Sequence, residues 1–288
     1  DNDGDDDVFI SRYNSDSEWV VEGYNVDFNR LIPVNSTADY VTERPSGASY
    51  MTAMVSGDLN QDGYNELIMS DAGGKVFVLW NMFTQTSVGG YGGNEIGNYT
   101  MIHDSGGNGF YSKSSLGLAD FGNDGLLDIY SGSSGGAIDL GILTAEKLDR
   151  AGATMNYELS WHDSVGTTAT MSVGDLDANG LLDFVVNPFQ SPIYYHKTGG
   201  GILDTATSRS FDIHTGGNYA VGVGLSVDYD ADGDKDLLLA GAQNVSAYEN
   251  DGGLSADPVF FVNQYYATSM AVADINEDGF ADLVTTGN

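Results

Sequence analysis

The nine residues Asp228–Asp236, DYDADGDKD, constrain the possible folds of this chain more than any other stretch. Carboxylates fill positions 1, 3, 5 and 9, and Gly233 fills position 6. Acidic side chains alternating along so short a loop turn toward one point, where they repel one another unless a cation lies between them. A hard cation such as Ca²⁺ takes about six to eight oxygens. Asp228, Asp230, Asp232 and Asp236 offer side-chain oxygens here, and the carbonyl of Asp234 offers one more. Gly233, without a Cβ, allows the sharp turn that brings them together.

The pattern recurs. DLNQDGYNE supplies Asp58, Asn60, Asp62, Glu66 and the carbonyl of Tyr64. DLDANGLLD supplies Asp175, Asp177, Asn179, Asp183 and the carbonyl of Leu181. DINEDGFAD supplies Asp274, Asn276, Asp278, Asp282 and the carbonyl of Phe280. A weaker copy keeps Asp120, Asp124 and Asp128 but has Gly122 at position 3. Asp1, Asp3, Gly4 and Asp7 fit positions 3, 5, 6 and 9 of a further copy, whose position 1 falls before the first residue. The expectation is up to six Ca²⁺ sites, with the Asp120 site the weakest.

The flanks decide what kind of loop this is. An EF-hand needs a Glu at position 12 and a helix on each side. Position 12 is Met69, Ser131, Val186, Leu239 and Thr285. Short apolar runs follow position 9 (LIMS, FVVN, LLLA, LVTT), and strand-like runs such as TATMSVG precede position 1. Each loop therefore joins two strands of a hairpin. The spacing of an RTX repeat is missing, and thrombospondin-type repeats need cysteines, of which there are none.

Intervals between successive motif starts, from Asp58 to Asp274, are 62, 55, 53 and 46 residues. A period near 50 with four strand candidates in each describes the four-stranded antiparallel blade of a β-propeller. In one period TATMSVG, LDFVVN, SPIYYHK and RSFDIHT are the four strands, with the acidic loop between the first two. The chain reads as a single all-β propeller domain over 1–288, with blades near 1–48, 49–110, 111–166, 167–218, 219–264 and 265–288. Only TAEKLDRAG, from Thr144, reads as helical.

A strand, D-x-[DN]-x-[DN]-G-x-x-[DE], a second strand and then a short aromatic strand such as VFVLWN or VSAYEN resembles the FG-GAP/VCBS repeats. The resemblance spans nearly the whole chain and departs from the pattern at Gly122. It implies an extracellular, calcium-stabilised propeller like those of integrin α-subunit heads and of secreted microbial proteins. It does not imply one activity. Strands 2 to 4 of one blade, four full blades and strands 1 and 2 of another are expected, so the sequence reads as a segment of a longer chain. A seven-bladed ring at this period needs roughly 385 residues.

Composition narrows the partners. Ten basic against 42 acidic residues give a formal charge of −32, which argues against nucleic acid. No run of about 18 apolar residues is present to form a membrane-spanning helix. Asn35, Asn98 and Asn244 begin glycosylation sequons.

His103, His162 and His214 precede acidic motifs by 17, 13 and 14 residues, placing them between strand 4 and the next strand 1 of successive blades. With Tyr111, Tyr219 and Tyr265 they are the candidate ligand-binding residues, on the face opposite the acidic loops; the alternative is a repeated turn capped by His. No Ser/His/Asp elbow or phosphate loop is present, and no catalytic residue is assigned. The expected role is an extracellular or cell-surface module that binds glycan or protein and is capable of self-assembly. The alternative is a polysaccharide lyase on the same scaffold, disfavoured because five arginines on an acidic chain poorly neutralise an anionic substrate.

Overall fold

The computed structural model describes residues 8–13, 19–24, 40–43, 45–80, 99–104, 115–132, 140–145, 157–163, 168–188, 193–195, 209–210, 223–240, 244–255, 257–263, 269–276 and 281–286. Every regular element among them is a β-strand. A three-stranded sheet comes first: β1 (Val8–Tyr13), β2 (Trp19–Tyr24) and β3 (Tyr40–Glu43). Four four-stranded sheets follow in chain order. They are β4 (Met51–Gly57), β5 (Glu66–Asp71), β6 (Lys75–Leu79) and β7 (Tyr99–Asp104); β8 (Ser115–Ala119), β9 (Asp128–Gly132), β10 (Leu140–Ala145) and β11 (Tyr157–Asp163); β12 (Thr168–Gly174), β13 (Asp183–Pro188), β14 (Ile193–Tyr195) and β15 (Arg209–Ser210); and β16 (Val223–Val227), β17 (Asp236–Ala240), β18 (Asn244–Tyr248) and β19 (Phe260–Asn263). A two-stranded sheet, β20 (Ser269–Ala273) and β21 (Asp282–Thr286), comes last. Each sheet is an antiparallel meander of sequential neighbours.

The sheets pack face to face in chain order, their first strands side by side: β4 against β8, β8 against β12, β12 against β16, β16 against β20. This is a propeller arrangement, and the packing seen among the described residues does not trace a closed ring. The core lies between the sheets. Val21 and Ala48 meet Leu67, Met69, Phe77 and Leu79 at one interface. Ile68, Val76 and Val78 meet Ile129, Leu143 and Tyr157 at the next. Leu176 and Val185 meet Leu237, Leu239 and Tyr248 further on.

These interfaces explain why the second strands carry apolar residues on both faces. Along β5, Leu67 and Met69 face one neighbouring sheet and Ile68 faces the other, so all six residues of ELIMSD are buried. Burial of such a side chain contributes roughly 1.5–3 kcal/mol.

Close approach of the first strands sets their last residue. A Cβ at Gly57 would collide with Leu118 of the next sheet, and one at Gly174 with Ser226 of the next.

One expectation changes here, and one of the three sequons can be placed. Thr144 and Ala145 do not begin a helix: they end β10, paired with Glu158 and Tyr157 of β11, because ladder pairing outweighs the helical pattern of the residues that follow. Asn244 sits within β18, paired with Asn263 and only 5% exposed, so its sequon points into the protein rather than toward a glycan. Asn35 and Asn98 lie outside the described residues.

Candidate functional site

Each acidic motif is the connection from the first to the second strand of a sheet: Asp58 follows β4, Asp120 β8, Asp175 β12, Asp228 β16 and Asp274 β20. One hydrogen-bond scheme builds the loops. The position-1 carboxylate accepts the N–H groups of positions 5 and 6: Asp62 and Gly63 donate to Asp58 at 3.0 and 2.9 Å, and Asn179 and Gly180 donate to Asp175 at 3.0 and 2.8 Å. Position 5 accepts from position 7, as when Tyr64 N–H donates to Asp62 at 2.9 Å and Asp234 N–H to Asp232 at 3.1 Å. Position 3 accepts from position 5 at 2.9 Å on Asn60, 3.2 Å on Asp177 and 3.3 Å on Asp230.

Position 9 anchors the loop to the sheet. Glu66, Asp128, Asp183 and Asp236 are at most 1% exposed. Each accepts the N–H of position 2, from Leu59, Phe121, Leu176 and Tyr229, at 2.8 to 3.0 Å. Asp282 does the same for Ile275 at 2.9 Å. Asp128 and Asp236 reach further, taking the N–H of Ala145 at the end of the third strand β10 and that of Asn250 just beyond the third strand β18, both at 2.9 Å.

The turn needs two left-handed residues. Glycine meets the demand at position 6, with φ of +93°, +85°, +82° and +105° at Gly63, Gly125, Gly180 and Gly233. The other falls at position 4, on Gln61, Asn123, Ala178 and Ala231, with φ between +52° and +65°. A non-glycine residue there carries a local cost that the surrounding hydrogen bonds must offset.

Two loops bring three carboxylates together: Asp175 with Asp177 and Asp183, and Asp228 with Asp230 and Asp236, each set offering oxygens within 4.8 Å of one another. Oxygens around one Ca²⁺ at about 2.3–2.6 Å can stand no more than roughly 5 Å apart, so both sets fit such an ion. In the second loop Asp228 Oδ1 is shielded from water and has no hydrogen-bond donor, and the same is true of Asp234 Oδ1. Burial first, then Asp232 and its neighbours, pushes the Asp234 carboxyl up to about 6, and burial also raises Asp236. Carboxylates crowded in this way favour either a proton or a cation. These acidic sets can hold a metal ion.

The Asp58 loop substitutes Asn60, whose amide donates to Glu66 at 3.3 Å. The Asp120 loop, with Gly122 at position 3, keeps the shared scheme, Asp124 and Gly125 donating to the two oxygens of Asp120 at 3.1 and 2.7 Å, and adds the N–H of Gly122 to Asp128 at 3.2 Å. Asp1, Asp3, Asp7, Asp278, Phe280, His214, Tyr111, Tyr219 and Tyr265 lie outside the described residues.

His103 and His162 are next to last in β7 and β11, opposite Val76 and Gly141, so they belong to fourth strands rather than to the connections after them. Ladder pairing persists past both histidines to Asp104 and Asp163. They share the end of the sheets away from the acidic loops, and β7 packs against β11. Half-buried His103 has its pKa lowered by burial, which Asp104 partly opposes.

Position 2 went unremarked in the sequence. Leu59, Phe121 and Leu176 are fully buried, and Phe121 meets Phe184 of the next sheet edge-on at 6.2 Å between ring centroids. An apolar residue after each first Asp was the available signal.

Residues 228–285, from the first aspartate of the most acidic loop into β21, match the FG-GAP-like repeat family. No curated protein sequence matches the chain. Among solved structures, it is similar to a lectin from Agrocybe aegerita that recognises non-reducing terminal N-acetylglucosamine, at 15% identity and a TM-score of 0.54, covering 97% of this chain and 74% of that one. It is also similar to BBS1N, solved in complex with ARL6DN, at 11% identity and a TM-score of 0.55, covering 97% of this chain and 75% of that one. At these identities the likeness speaks for the fold alone. The chain thus has a β-propeller fold, within which residues 228–285 match an FG-GAP-like repeat.

Proposed function

We propose that the chain is an extracellular or cell-surface binding module: a propeller stiffened by Ca²⁺ in its acidic loops, which recognises glycan or protein through the face opposite them. One observation carries the calcium part. Asp228 Oδ1 is shielded from water without a donor, beside the converging oxygens of Asp230 and Asp236. A buried carboxylate oxygen in that state is costly unless a cation completes it. The bound ion supplies a fixed positive charge that ties the first strand to the second. Asp236 and Asp183 join that point to the buried ladder through the N–H groups of Tyr229 and Leu176.

The binding part is supported by the two ends of the sheets having different jobs. One end is committed to the acidic loops, while the other carries His103 and His162 on adjoining strands. The lectin among the similar folds, which binds N-acetylglucosamine, makes a glycan the first ligand class to test. A glycan array and pull-down with the wild type and with a His103, His162 and His214 triple alanine variant is the direct experiment. Loss of binding with calcium-dependent melting retained is expected. Normal binding by the variant would move the working surface elsewhere, and unsaturated products from a uronate polymer would make the protein a lyase.

A further inference from the structure

Asn250 is fully buried just beyond β18, and its backbone N–H and side-chain amide donate to residues of two acidic loops. Its backbone N–H donates to Asp236 Oδ1 at 2.9 Å, the position-9 carboxylate of the Asp228 loop. Its side-chain amide donates to the carbonyl of Lys235 in that loop at 3.1 Å, and to the carbonyl of Asp175 at 3.3 Å. Asp175 is the first ligand residue of the loop in the preceding sheet. The amide oxygen is held in turn by Gly253 N–H at 2.8 Å, so the amide cannot rotate without breaking a contact.

The two loops joined in this way are the two, among the described residues, whose three carboxylates converge. Between the Asp58 and Asp120 loops the link is different: Gln61 Nε2 donates to Gly125 O at 2.6 Å, from an exposed side chain.

We infer that Asn250 is a positioning residue that couples cation binding in the Asp175 and Asp228 loops, so that filling one raises the affinity of the other. The inference rests on the calcium reading above. An ion drawn between Asp228, Asp230 and Asp236 fixes the Asp236 carboxylate, which fixes Asn250, which holds the Asp175 backbone where its own side chain meets Asp177 and Asp183. Such coupling is reciprocal by thermodynamic necessity. A single buried amide with few alternative positions can carry it without any change of fold.

The test is a double-mutant cycle read by calorimetric Ca²⁺ titration of the whole chain. Asp177→Ala disables the earlier loop and Asp230→Ala the later one. Each is expected to weaken Ca²⁺ binding at the intact loop by about fivefold, the low end of typical coupling. Asn250→Asp keeps the backbone donor and the acceptor for Gly253 but removes both amide donors. In that background the two loop variants should no longer affect each other. Unaltered affinity at the intact loop in both single loop variants would overturn the coupling, as would coupling that persists undiminished in a folded Asn250→Asp chain. Should Asn250→Asp fail to fold, Asp177→Ala and Asp230→Ala in the wild-type background still decide whether coupling exists. A wild type that takes up no Ca²⁺ would overturn the calcium reading itself, a result distinct from two independent sites.

Discussion

In the Asp228 loop the first aspartate has Oδ2 held by Gly233 N–H at 3.1 Å and Oδ1 shielded without a donor, whereas Asp120 accepts a hydrogen bond on each oxygen. The contrast continues at position 9. Asp128 takes three N–H groups, from Phe121, Gly122 and Ala145, where Asp236 takes those of Tyr229 and Asn250. The turn is nevertheless the same, down to left-handed Asn123 and Ala231 at position 4. Backbone hydrogen bonding alone therefore builds this loop, and on the calcium reading proposed above a cation would answer the charge problem of the more acidic copies.

The largest test of that division is chelation. One ion at about a hundred times its Kd stabilises a fold by about 2.7 kcal/mol, so two such sites give roughly 5 kcal/mol, or on the order of 10 °C in Tm for a chain of this size. EDTA should lower Tm by that order in calorimetry, and excess Ca²⁺ should restore it. Asp230→Ala should remove much of the effect in Ca²⁺ while changing little in EDTA. Melting that ignores chelator would erase the distinction between the loops.

Next in size is Asp128→Ala. It strands three N–H donors at a buried site, at a cost of about 1–3 kcal/mol each before relaxation, so a net loss near 3 kcal/mol is expected. The loss should be equal with Ca²⁺ and with EDTA, because the Asp120 loop is held by hydrogen bonds. Chemical denaturation in both conditions measures it. A loss confined to the Ca²⁺ arm would mean that this loop depends on the ion after all.

What could be read from the sequence and what could not divide along the same line. Ligand spacing, the strand before each loop and the apolar strand after it are local patterns, and Asp58, Asp120, Asp175, Asp228 and Asp274 each open the expected hairpin connection. Features fixed by a neighbouring sheet were not legible. Gly57 and Gly174 are small because Leu118 and Ser226 of the next sheet press on them. Asn250 matters through the carbonyl of Asp175, 75 residues away. Position 4 turns left-handed in residues as unlike as Gln61 and Ala178, so residue type gives no cue. The histidines were placed one element late because HDS reads as a turn, while the ladder continues through His103 and His162.

Protons offer a smaller test, with a definite sign. Asp234 in the cation-free loop is raised to about 6 by burial and by Asp232, and Asp236 is raised as well, chiefly by burial. A carboxyl whose folded pKa lies above its unfolded value favours folding when protonated. Its contribution is complete below about 4 and is lost as pH rises through about 6. In EDTA, Tm should therefore rise as pH is lowered from 7 toward 5. In saturating Ca²⁺ the trend should reverse, because protons compete with the ion for the carboxylate oxygens of Asp236 and the other side-chain ligands. Parallel pH profiles in the two conditions would show that those carboxylates do not hold the cation.

The smallest effect sharpens the comparison most, because it tries to turn one loop into the other. Gly122 lacks the left-handed φ of its neighbours, and a Cβ there would make only ordinary contacts with Asp124, the nearest at 3.5 Å. Gly122→Asp thus restores the position-3 carboxylate without strain. Replacing glycine also narrows the unfolded ensemble, which by itself adds about 0.4–1 kcal/mol regardless of ions. The informative quantity is therefore the difference between Ca²⁺ and EDTA. In EDTA the new charge faces Asp120 and Asp124 and offsets the entropic gain. In Ca²⁺ the added ligand should widen the difference by about 1.4 kcal/mol over wild type, the value for an ion near ten times a weak Kd, with one more ion bound by calorimetry. An unchanged difference would show that a missing side chain is not what separates the loops. The cause would then lie at position 9, where Asp128 already takes the N–H groups of Phe121, Gly122 and Ala145.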